Sequence, residues 1–118
     1  MATNPNINMK KLTEAYSNGV LTGYTFLCPG CKSPHYCTVK PHKNNLGASW
    51  HFNGDIESPT FSPSILERRE WTNRPDKPTA VCHSFVRNGK IEFLGDCTHD
   101  LAGQTVEMLD ANIEVFEE

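Results

Sequence analysis

A chain of 118 residues, 37% hydrophobic and 21% charged, suits a single domain spanning 1–118 with a modest core and little apolar surplus. A net charge of −3 and a pI near 5.9 argue against a phosphate-binding surface, so no nucleic acid is expected as a partner. No apolar run is long enough to span a bilayer, and Met1 to Asn8 lacks the apolar core of a signal peptide, which gives a cytoplasmic expectation with no membrane partner.

In a reducing compartment the five cysteines point to metal rather than to disulfides. Met1 to Asn8 reads as loose. Met9, Leu12 and Tyr16 fall on one side of a short N-terminal helix that Asn18-Gly19 would stop. Val20 to Leu27 reads as a strand. Cys28-Pro-Gly-Cys31 follows, a tight knuckle that can point both sulfurs at one metal. The competing readings are two incidental buried thiols or a redox dithiol, and the latter lacks its usual strand-to-helix setting. His35 comes shortly after, as an alternate ligand or a neighbour of the site. Cys37, in a strand from His35 to Lys40, reads as a small buried residue.

Pro41 to Gly47 is loop, and Ala48 to Asn53 is a strand with Trp50 in the core. Ser58-Pro-Thr-Phe-Ser-Pro-Ser-Ile-Leu66 carries two prolines, which exclude a central, fully paired strand. Its plain reading is an edge strand with a wet polar face. Its functional reading is a rigid segment that fixes a hydroxyl, from Ser62 or Ser64. Glu67 to Thr79 reads as a long surface loop in which Trp71 could cover a pocket or meet a partner.

Val81 to His99 is the most informative stretch. Asn88-Gly89 suits a type I′ turn, which sets Arg87 opposite Lys90 and His83 opposite Leu94. Alternation then puts Cys82, Ser84, Val86, Ile91, Phe93 and Cys97 on one face, and His83, Phe85, Glu92, Leu94 and Asp96 on the other. The first face offers Cys82 and Cys97 to complete a structural zinc site with Cys28 and Cys31. His35 and His99 are alternate ligands. The second face sets Asp96 beside His83, where a carboxylate can orient an imidazole. Asp100 to Gly103 is a turn, and Gln104 to Leu109 a closing strand. The fold expected is mainly β: a small antiparallel sheet or barrel-like domain, zinc-stapled over residues 20–109, with one short N-terminal helix.

Taken together, Cys28-Pro-Gly-Cys31 with His35, Trp50 with Asn53-Gly54, Pro59-Thr-Phe-Ser-Pro-Ser64, Cys82-His83 with Phe85, and Asp96-Cys-Thr-His99 with Leu101-Ala-Gly-Gln-Thr105 resemble a family of small phage and bacterial proteins of unknown function. Its members are often mislabelled as ammonia monooxygenase. Some relatives look like the peptidase of bacterial ubiquitin-like conjugation operons. The resemblance implies a hydrolase acting on a protein substrate, after a ubiquitin-like C-terminus.

Three mechanisms fit these residues. In a serine peptidase with structural zinc, Ser64 or Ser62 attacks, His83 is the base, Asp96 orients it, and His99 is the competing base. In a metallohydrolase, Cys97 and His99 with Cys82 or His83 hold zinc with one position open for water, and Glu57, Asp96 or Glu92 is the base. In the third, a zinc-stapled phage module binds a host protein and catalyses nothing.

Overall fold

The structure, a computed structural model, describes residues 10–70, 76 and 78–111. The stretch from Met1 to Met9 and Trp71 lie outside the described residues. Among the described residues, eight strands form two antiparallel sheets. The first contains β1 (Thr13–Ser17), β2 (Val20–Cys28) and β3 (Ser33–Thr38), in that order. The second contains β4 (His51–Phe52), β5 (Phe61–Arg69), β6 (Ala80–Arg87), β7 (Lys90–Phe93) and β8 (Thr105–Glu107), also in chain order. A parallel bridge from Val39 to Trp50 links the ends of the two sheets.

The mainly β, antiparallel expectation holds, and the N-terminal helix does not. Among the described residues there is no helix, and Thr13–Ser17 pairs with β2 instead. Asn18 and Gly19 have φ of 52° and 80°, so this dipeptide is a hairpin turn and not a helix stop. With four polar or small residues in the five of β1, a helix could not hold without docking, whereas the β2 edge supplies backbone partners at once.

The Asn88-Gly89 hairpin has the expected register. Arg87 pairs with Lys90, Val86 with Ile91, Phe85 with Glu92 and Ser84 with Phe93. Cys82, Ser84, Val86, Ile91 and Phe93 are all buried, and His83 and Phe85 are only half-buried. This inner face meets Phe26 and Cys28 of the first sheet, with Phe61 and Ile65 of β5, in one core.

β5 lies between β4 and β6, but β4 pairs only with its first two residues, Phe61 and Ser62. The proline reading therefore survives in altered form. Phe61 pairs with Val86 and Ile65 with Ser84, so three residues, Ser62-Pro63-Ser64, stand opposite Phe85 alone. This bulge breaks the ladder where Pro63 has no N–H to give. Beyond it, β5 runs on to Arg69, into the stretch expected to be loop.

Candidate functional site

The β5 bulge aims Ser64 along the outer face of the second sheet. Its Oγ lies 3.1 Å from His83 Nε2. The opposite ring nitrogen, Nδ1, lies 3.1 Å from Asp96 Oδ2. Asp96 accepts from Nδ1–H, which leaves the Nε2 lone pair facing the hydroxyl. A hydroxyl, an imidazole and a carboxylate thus stand in series, as nucleophilic catalysis requires. Ser62 stands two residues earlier in the bulge, opposite His51 of β4, and is exposed.

Two contacts that the sequence did not announce hold this series. Trp50 Nε1 donates to the Ser64 carbonyl oxygen at 3.2 Å, so Trp50 braces the bulge as well as filling the core. Cys97 Sγ accepts from the His83 N–H and donates to the His83 carbonyl, both at 3.2 Å. Cys97 therefore sits beneath the backbone of the imidazole, not beside Cys82.

The second site lies on the inner face. Donor atoms of Cys28, Cys31, Cys82 and His99 all lie within 4.8 Å of one another. The Cys28 and Cys82 sulfurs are 3.9 Å apart, and the Cys31 N–H donates to Cys28 Sγ at 3.3 Å, closing the knuckle. His99 takes the place expected for Cys97. The reason is local: β7 ends at Phe93, Cys97 N–H turns back to the Leu94 carbonyl, and the tightened chain carries residue 99 to the cluster. Gly30 makes this possible, because the His99 ring fills the space where a Cβ would stand.

These residues fit a zinc ion. Three thiols packed this closely compete for negative charge. Hydrogen bonds from Cys31 and Cys82 hold the Cys28 thiol well below its ordinary range, and the same bond to Cys28 pushes Cys82 up. A divalent cation removes that competition by taking thiolates together. His99 Nε2 is buried without a partner, while Nδ1 accepts the Leu101 N–H at 3.2 Å. Ligation through Nε2 would move the ring proton to Nδ1 and give up that long contact, a small loss against a metal bond.

His35 is not in the cluster. It is buried, with Nδ1 3.3 Å from Glu67 Oε1, near enough for ionic attraction but off the line of a hydrogen bond. Burial pulls its pKa down, and the Cys31 sulfur and the Glu67 charge together raise it further. Of the bases proposed for a metallohydrolase, Asp96 is engaged by His83 and Glu92 by Arg87.

The two sites share two short segments. Cys82 and His83 are neighbours on β6, one facing each site. In Asp96-Cys97-Thr98-His99, Asp96 meets His83 and His99 joins the thiols. Between them, Thr98 is bonded through its N–H and its hydroxyl to the backbone of Val81.

No curated protein and no solved structure matches the chain. One family profile does, described as "bacterial ubiquitination-like system serine protease (BubE)", over residues 3–94. The matched segment includes Ser64 and His83 and stops just short of Asp96, whose carboxylate the fold brings to the same imidazole. That span is most of the chain, and the protein belongs to the BubE family of bacterial ubiquitination-like system serine proteases.

Proposed function

We propose that this protein is a serine peptidase whose nucleophile is Ser64, with His83 as general base and Asp96 as the group that orients it. The observation carrying this reading is the continuous series Ser64 Oγ, His83 Nε2, His83 Nδ1, Asp96 Oδ2, with both gaps at 3.1 Å. Ser64 Oγ attacks the scissile carbonyl carbon as its proton passes to His83 Nε2. The developing imidazolium is held by Asp96. His83 returns the proton to the leaving amine, the C–N bond breaks, and Ser64 carries the acyl group. A water molecule, deprotonated by the same imidazole, then releases the acid and restores the serine.

The family description supports a protein substrate within a ubiquitination-like system, and we assign the cut to the C-terminal side of a ubiquitin-like or other protein segment. Cys28, Cys31, Cys82 and His99 would hold zinc. Four protein ligands complete a tetrahedral structural site, so the ion would contribute folding energy and no reacting water.

A fluorophosphonate probe should label the protein at Ser64, and Ser64→Ala should lose both labelling and hydrolysis, while Ser62→Ala keeps them. Hydrolysis retained in Ser64→Ala would eliminate this mechanism. A metallohydrolase would instead lose activity to a chelator while staying folded, and regain it on adding metal.

A further inference from the structure

A cleft of about 330 Å³ opens beside the nucleophile, lined by Ser62, Pro63, Phe85 and Arg87 among others. Its walls adjoin the reactive series along both strands. Ser62 and Pro63 immediately precede Ser64 on β5. Phe85 lies two residues beyond His83 on β6, and is half-buried like it on the outer face. A peptide whose scissile carbonyl sits at Ser64 must pass this cleft or leave directly away from it.

The chemistry of the cleft narrows what it can take. The Arg87 guanidinium lies over the Phe85 ring, 4.0 Å from its centroid, and Nη1 donates to Glu92 Oε1 at 2.9 Å. Stacking and ion pairing together fix the guanidinium as a lid on the aromatic wall. A cationic side chain entering here meets Arg87. An anionic one must displace Glu92 to reach it. The Phe85 and Pro63 rings remain as contact surface.

We propose that this cleft is a specificity subsite that seats an uncharged, apolar side chain of the peptide substrate next to the scissile bond. The proposal rests on the serine-peptidase reading, and its test separates the two. A library of internally quenched fluorogenic peptides, varied one position at a time, is cleaved by the full-length protein. Binding of the same peptides to Ser64→Ala is followed by the backbone resonances around Phe85.

At one position, apolar residues should be preferred over Asp and Lys by about tenfold or more in kcat/KM. Phe85→Ala should flatten that preference, with the loss on apolar substrates falling mainly in KM rather than kcat. Glu92→Gln should remove the charge that Arg87 pairs with and narrow the penalty on Asp by about tenfold.

Three results overturn the assignment: no apolar preference at any position, folded Phe85→Ala and Glu92→Gln proteins with the parent profile, or apolar peptides that leave the Phe85 region of Ser64→Ala unperturbed. If Phe85→Ala does not fold, Glu92→Gln decides alone. Hydrolysis that persists in Ser64→Ala, with no labelling at Ser64, removes the peptidase mechanism instead. The binding data still judge the cleft.

Discussion

Gly30 has no side chain where His99 needs the room, so the spacing of the Cys28–Cys31 knuckle is only half of its design. Gly30→Ala should displace the imidazole and weaken zinc binding by roughly 10–100-fold, the range seen when a supporting group at a metal site is lost. Competition with a chromophoric chelator measures this directly, and unchanged affinity would refute the placement of His99. Asp96→Asn should preserve the fold and lower kcat by up to ~10⁴-fold, because an amide no longer selects the Nδ1–H tautomer.

At this scale the sequence showed which residue types mattered, but not how they divide. His83 and Asp96 meet as the alternation of the hairpin suggests. His99, the alternate, and not Cys97 stands with the three thiols, because a strand projected past Phe93 ignores the turn that brings Cys97 N–H back to Leu94. Trp50 looked like plain core, since nothing in a sequence tells an indole which carbonyl it will meet.

Two elements decide where the reacting groups stand. From Ser84 to Phe93 the β6–β7 hairpin was legible to the residue, since Asn88-Gly89 fixes the register and strict alternation fixes the faces. Asn18-Gly19 carries the same signal, yet the weak stripe of Met9, Leu12 and Tyr16 outweighed it in the helical reading. A turn that needs two positive φ values is stronger information than three apolar residues at helical spacing. Gly89 has φ of +77°, and a Cβ there would meet Ser58 Cα at 3.4 Å. Gly89→Ala should cost about 1 kcal/mol or more, read as a lowered denaturation midpoint with the m-value unchanged.

The bulge was not legible as such: two prolines announced an irregular strand, but not three residues set against one. Deleting Pro63 should realign β5 and turn Ser64 away from His83. The expected result is lost labelling of Ser64 with zinc content intact. Labelling that survives the deletion would show that the bulge is not what aims the nucleophile.

Across the whole molecule, the Cys and His cluster draws on both sheets, with Cys28 from β2 and Cys82 from β6. With 37% hydrophobic content, the core alone gives a small margin of stability, and a zinc ion bound at this cluster, as we propose, would staple the sheets and add to it. Native mass spectrometry should find one zinc per chain. Chelation should lower Tm and abolish hydrolysis in one step, since the staple and the reactive series share β6 and the segment from Asp96 to His99. Activity lost with Tm unchanged would contradict a structural role.

Cys37, wholly buried between the sheets, supplies a separate check. Burial first, and then the Glu67 charge, pushes its thiol up from 9.0 to about 12. The unfolded chain therefore ionises this group at lower pH than the folded one. Its contribution is complete below pH 9 and is lost as pH rises from 9.0 toward about 12. Cys37→Ala should make the alkaline fall in stability shallower by one proton.

The indole of Trp50, bonded to the carbonyl of Ser64, places an intrinsic fluorophore one hydrogen bond from the residue we propose as nucleophile. In a Trp71→Phe background it would be the sole tryptophan, the chain having two. Its emission would then report each acylation and release in real time, with no dye attached.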